Sequence, residues 1–166
     1  MKKFVIFFFC MMAGDAVAQT FSLLQKNDSL HLLMLDTDST HCEWNIKYPV
    51  YRFCTGDFDG DGIDEAMVGV IKPTRFIHET DKRLFIYKNH NGNIKRMWMG
   101  SKVGGQIIDF YCVDGFLICM SRMADNKCVI AKWKPARFGI DFMGYIAENI
   151  EEDTAINLFN EIISNK

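Results

Sequence analysis

The chain has 166 residues, with 19 basic and 21 acidic side chains and a formal charge of −2. Near-balanced, dispersed charge excludes the basic stripe of a nucleic-acid or anionic-membrane binder. With 49% hydrophobic and 13% aromatic residues, the length suits one domain with a real core.

The first element predicted is not part of the fold. Lys2 and Lys3 precede an apolar run from Phe4 to Gly14, and Ala16-Val17-Ala18 is a small-x-small cleavage site. Residues 1–18 therefore read as a bacterial-type secretory signal peptide, with the mature chain starting at Gln19 and destined for the periplasm, cell surface or exterior. The run is shorter than the roughly 20 apolar residues of a membrane span, and no other segment of the mature chain suggests one. Without these residues the chain keeps 17 basic and 20 acidic groups and five cysteines, Cys42, Cys54, Cys112, Cys119 and Cys128. An odd number leaves at least one thiol outside any intramolecular bridge. Export permits disulfides, but buried thiols in strands fit equally well, and no pairing is assigned. The spacing excludes a zinc site.

From residue 19 onward the chain is expected to be one mainly β domain of antiparallel sheets, arranged as propeller-like blades or a sandwich. Strands are expected at about 29–36, 42–48, 50–56, 64–71, 83–88, 93–99, 106–113, 116–122, 127–133 and 138–145, where β-branched and aromatic residues alternate with turn signals. Asp114-Gly115 is a two-residue hairpin turn, with Cys112 and Cys119 diagonal on one face of its strands. Ala66, Val68 and Val70 oppose Met67 and Ile71, and Leu84 and Ile86 oppose Phe85 and Tyr87. Strands apolar on both faces belong in the middle of stacked sheets. A faint repeat, Leu84–Trp98 against Cys128–Phe142, suggests two four-stranded units, 50–99 and 106–145, with an extra hairpin in front. A helix is expected over 150–164, capped by Asn149 and packing through Ala155, Leu158, Phe159, Ile162 and Ile163.

The densest signal is Asp57-Phe58-Asp59-Gly60-Asp61-Gly62-Ile63-Asp64-Glu65. Five carboxylates in nine residues repel one another unless a hard cation sits among them. Calcium takes six to eight oxygens at about 2.3–2.6 Å, and this spacing offers Asp57, Asp59, Asp61, the Ile63 carbonyl and Glu65, with Gly62 at the sharp turn. The alternative is an acidic, glycine-rich surface turn. The twelfth place, where an EF-hand needs a bidentate acid, is Val68, and flanking helices are not expected.

The stretch Thr55 to Gly69 resembles the calcium-binding repeat of FG-GAP/VCBS proteins, also found in integrin α-chain propellers. The resemblance covers one blade. It implies a loop joining the first two strands of a four-stranded blade and a Ca²⁺ site made by Asp57, Asp59, Asp61, the Ile63 carbonyl and Glu65.

None of His31, His41, His78 and His90 stands in a nucleophile motif. Gly100 to Gly105 lacks the spacing of a phosphate loop, and carboxylates held by calcium make poor general acids. The aromatics are expected mainly in the core, with Tyr48-Pro49-Val50-Tyr51 the best candidate for a partly exposed cluster. The expected function is a non-catalytic binding module with structural Ca²⁺, its partner a protein or glycan at the cell envelope. The alternatives are a periplasmic inhibitor or immunity protein against a hydrolase such as a lysozyme, and an enzyme, which needs a polar pocket where a His meets a carboxylate.

Overall fold

The computed structural model describes residues 19–73, 78–100, 103–137 and 139–165. The signal-peptide reading of residues 1–18, Ser101 and Lys102 of the glycine-rich run, and Phe138 at the expected start of the last strand lie outside them.

Among the described residues, eleven strands are followed by one helix. A front sheet contains β1 (Gln19–Asn27), β2 (Leu30–Thr37) and β3 (His41–Ile46). A middle sheet contains β4 (Val50–Gly56), β5 (Glu65–Lys72), β6 (Asp81–His90) and β7 (Asn93–Met99). A rear sheet contains β8 (Gln106–Val113), β9 (Phe116–Arg122), β10 (Cys128–Pro135) and β11 (Ile140–Ile150), and α1 (Glu152–Ser164) follows. All three sheets are antiparallel meanders in which each strand pairs with its chain neighbour, and none closes into a barrel. The two four-stranded units are the middle and rear sheets, and the two repeat segments supply their third and fourth strands.

The apolar pattern stacks the sheets. Alternate side chains of a strand face opposite sides, so Ala66, Val68, Val70, Phe85 and Tyr87 form one core with Phe21, Leu33, Leu35 and Ile46 of the front sheet. From the same middle strands, Met67, Leu84 and Ile86 face the other way, into a core with Ile107, Phe110, Cys112, Leu117 and Cys119 of the rear sheet. Cys112 and Cys119 share this face, as their hairpin register requires. The remaining face of the rear sheet, with Ile118, Met120, Cys128 and Ile130, packs against Ala155 and Phe159 of α1. The molecule is thus four layers deep: front sheet, middle sheet, rear sheet, helix.

Two expectations need correction. The extra hairpin in front is a three-stranded sheet, because Gln19–Asn27 pairs with β2, in regular register from Gln19 to Gln25 and with a register break between Gln25 and Asn27. Its Leu23-Leu24 pair breaks the alternation that marks a strand: Phe21 and Leu23 turn inward, while Leu24 is 43% exposed. Asn149 is not the helix cap. It lies in β11 with φ +56°, a left-handed conformation that Asn tolerates better than most residues. Glu151, extended at φ −70° and ψ 154°, caps the helix without a side-chain hydrogen bond, and its carbonyl accepts from Ala155 N–H at 2.9 Å. The Tyr48–Tyr51 cluster is partly exposed, as expected: Tyr48 packs edge-on against Phe85 and Tyr51 against Phe110, with Lys72 and Lys82 ammonium groups 4.7 Å above their respective rings.

The middle and rear sheets are tied by a two-point ion pair from Arg52 on β4 to Asp109 on β8, with Nε 2.7 Å from Oδ1. Among the described residues the five cysteines form no disulfide with one another, and burial pushes the Cys119 thiol up to about 12. At the entry to β8, a Cβ on Gly105 would sit 2.2 Å from the Arg122 carbonyl oxygen. That oxygen is backbone and cannot swing aside, so Gly105→Ala is expected to cost about 1–3 kcal/mol as an overpacked contact, read as a lower urea midpoint at unchanged slope. A wild-type midpoint would show that the β8–β9 approach is looser than drawn.

Candidate metal-binding loop

The acidic loop joins β4 to β5 at one end of the middle sheet. It is fixed at both of its ends by burial. Phe58 enters the core between the middle and rear sheets, and Glu65, 1% exposed, lies beneath the loop at the start of β5. Glu65 Oε2 accepts from the backbone N–H groups of Phe58 at 2.9 Å and Asp59 at 3.1 Å. Asp57 organises the next turn: Oδ1 accepts from Gly60 N–H at 2.8 Å and Oδ2 from Gly62 N–H at 3.0 Å. Gly62 has φ +84°, where a side chain would be strained. Asp61 Oδ1 accepts from Ile63 N–H at 2.9 Å.

These bonds gather Asp57, Asp59 and Asp61, each offering one carboxylate oxygen within 4.8 Å of the others. Oxygens that each lie about 2.3–2.6 Å from one Ca²⁺ can be no more than about 5.2 Å apart, so the three fit a common centre. Two unit charges at that separation repel by about 3 kcal/mol at an effective dielectric of ~20. One built-in cation offsets part of this: Lys88 Nζ donates to Asp59 Oδ2 at 2.7 Å, and that bond raises the Lys88 pKa. The other oxygen, Asp59 Oδ1, is buried without a hydrogen-bond partner. An unpaired buried carboxylate oxygen is costly, and a cation would supply its missing contact.

Of the five residues expected to ligate, the structure gathers Asp57, Asp59 and Asp61. Glu65 stands outside this group, its Oε2 engaged with the loop backbone. Ile63 follows Asp61 on the exposed rim. Burial, partly offset by the two backbone N–H groups, pushes the Glu65 carboxyl up to about 7.

Lys88 was not expected at the site. The register pairs Ala66 with Tyr87, and one step further sets Lys88 beside the loop end of β5. The charge that ends the apolar run Leu84–Tyr87 carried that signal. Beside the loop, between the middle and rear sheets, lies an open cleft of about 750 Å³ whose lining includes Asp57, Asp59, Asp114 and Lys134. A second unexpected feature is an aromatic ladder across β10 and the edge strand β11 of the rear sheet: Trp133, Phe142 and Tyr145 have ring centroids 5.3 and 4.8 Å apart, and Phe142 and Tyr145 are 47% and 50% exposed.

Of the histidines, His41 meets carboxylates. Nδ1 lies 2.6 Å from Asp36 Oδ1 and Nε2 lies 3.2 Å from Glu43 Oε1, on an exposed strand edge. Both ring nitrogens are engaged, and these hydrogen bonds, Asp36 first, raise the His41 pKa. No helix of the described residues is long and apolar enough to cross a membrane. No protein-family model, curated protein or solved structure matches the chain.

Proposed function

We propose that the chain is an exported, calcium-clamped β-protein that acts as a non-catalytic binding module at the cell envelope. The observation that carries the calcium reading is the Asp57–Asp59–Asp61 group, with carboxylate oxygens within 4.8 Å and a buried, unpartnered Asp59 Oδ1. The resemblance of this loop to the FG-GAP/VCBS repeat supports the same reading, since the loop joins the first two strands of a four-stranded sheet. The exposed Phe142 and Tyr145 rings support a binding role, because amphipathic rings are common anchors for protein and glycan partners.

Asp57, Asp59 and Asp61 would hold the ion, whose chemistry there is charge neutralisation. The residues do the rest: Asp57 and Glu65 shape the loop, Phe58 anchors it, and Lys88 tempers the negative charge. A ligand that binds only the folded state stabilises it by RT ln(1 + [L]/Kd), about 2.7 kcal/mol at a hundredfold excess over Kd. For a domain of this size that raises Tm by about 5–10 °C. Calorimetric melts with calcium and with EDTA are expected to differ by this amount in the wild type and to coincide in Asp59→Ala. Superimposable wild-type melts with and without calcium would remove the clamp.

A further inference from the structure

The middle and rear sheets have four strands, and the front sheet has three. β3 packs on β7 and β4 packs on β8, so neighbouring sheets are stacked last strand on last strand and first on first. Counting inward from β3 over β7, β2 covers β6 and β1 covers β5. The front side of β4 is then left beside the free edge of β1. Between them runs a groove of about 270 Å³ whose lining includes Leu23, Gln25, His31, Val50, Arg52 and Phe53.

Two independent features of this groove call for a ligand. His31 is only 5% exposed, and its Nδ1 has no hydrogen-bond partner; buried polar atoms are normally paired. Among the described residues the backbone of β1 pairs with β2 alone, and no backbone hydrogen bond reaches its other edge. Free edges are ordinarily blunted by charge, proline or bulges. From Gln19 to Gln25 this edge has no charged residue and no proline, and its register is regular.

We propose that the groove is a strand-addition site. An extended segment of a partner protein, apolar at alternate positions, pairs with the edge of β1 and completes the front sheet as its fourth strand. Its inward side chains seat against Leu23, Val50 and Phe53, and it brings a main-chain hydrogen-bonding group to His31 Nδ1, which has no partner. Main-chain bonds give such additions their affinity, and alternate side chains their selectivity. This names a contact surface for the binding module proposed above and rests on that reading, although the groove contains none of the acidic-loop residues. The occupant is a lone strand for a steric reason. The vacant position faces β4, so the incoming strand must arrive with that face bare. β1 of a second copy carries its own middle sheet on the corresponding face and cannot enter. The groove volume, below that of an ordinary small-molecule pocket, matches side chains of a peptide.

The test is a fluorescein-labelled peptide of about ten residues, alternating valine and threonine, titrated into the full chain by anisotropy, with hydrogen exchange read at the β1 amides. Saturable binding is expected, with exchange from Phe21 to Gln25 slowed by about tenfold or more. Leu23→Glu is expected to weaken binding at least about tenfold by placing a charge in the groove. Leu24→Glu, on the solvent face of the same strand, should leave it unchanged. The exchange measurement needs no variant and decides the matter even where Leu23→Glu fails to fold. The proposal is overturned by absent binding, by binding that leaves β1 unprotected, or by equal binding to a folded Leu23→Glu. It is also overturned by β1 edge amides already protected in the free chain, with sedimentation separating self-filling by the chain's own residues from a dimer. Failure of the calcium clamp would leave peptide binding intact, and failure of this site would leave the calcium-dependent melt intact.

Discussion

Phe159→Ala is expected to lower the stability of the protein by about 3–5 kcal/mol, the range for removing a fully buried aromatic side chain. Phe159 is 1% exposed and, with Ala155, fills the core between α1 and the rear sheet. Around it lie Ile118, Met120, Cys128 and Ile130 from neighbouring strand positions, held by the β-ladder and unable to collapse into the space. The loss is large against the 5–15 kcal/mol that typical domains possess. Polar links at the start of the helix do not compensate. Arg122 Nη2 lies 2.6 Å from both Glu152 carboxylate oxygens, but the pair is partly exposed, and such pairs contribute about 0–1 kcal/mol. Urea unfolding followed by far-UV circular dichroism measures the change. A loss below about 1 kcal/mol would mean that the helix is an appendage and not the rear layer of the fold.

In the absence of divalent cations, Glu65 is expected to make the protein less stable as the pH rises from about 4.5 to about 7. The folded-state pKa, about 7, lies above the ordinary value of 4.5, so the folded protein holds this proton more tightly than the unfolded chain. The stabilising contribution is therefore complete below about pH 4.5 and is lost as the pH climbs through 7. The upper limit is about 3 kcal/mol, because each tenfold gain in proton affinity on folding contributes about 1.4 kcal/mol. Other groups titrate over the same range, so the informative quantity is the difference from Glu65→Gln, which keeps an acceptor oxygen for Phe58 and Asp59 N–H without the charge. Urea midpoints in EDTA at pH 5 and pH 8 are expected to diverge between the two proteins, with the variant ahead at pH 8. Parallel curves would show that the carboxylate is well solvated despite its burial. Saturating calcium is expected to diminish the divergence, because a nearby cation favours the ionised acid.

Most of the β architecture was legible in the sequence, since it depends on short-range patterning. Middle-sheet strands apolar on both faces announced a layer on either side, and Asp114-Gly115 fixed a hairpin through two successive positive φ angles, +49° and +73°. Ala155, Leu158, Phe159, Ile162 and Ile163 turned toward the rear sheet at helical spacing. What escaped depended on context. β1 has a mixed apolar pattern and becomes a strand through its pairing with β2. Asn149 has the chemistry of a cap, but β11 continues past it and uses its tolerance of positive φ. At the loop, the spacing of Asp57, Asp59 and Asp61 was enough to foresee their convergence. Sequence spacing could not tell that Glu65 Oε2 turns to the loop backbone, nor that Lys88 reaches across from the next strand. Both depend on which side chains the sheet register buries.

The layered order also governs how the protein comes apart. Each apolar cluster joins one layer only to the next, so cooperativity passes along the stack as it does between neighbouring units of a linear array. The front sheet has one interface where the middle sheet has two, and it is short by one strand. It therefore opens at lower free energy than the middle sheet it covers, as a partial unfolding in which the middle and rear sheets persist. The acidic loop lies at the end of the middle sheet, and Gln19 bridges the two layers there, donating to the Asp64 carbonyl at 2.7 Å and accepting from Asn89 at 2.8 Å. Loop and fraying layer are thus mechanically coupled through the first residue of β1: whatever stiffens the loop also raises the threshold for losing the front sheet.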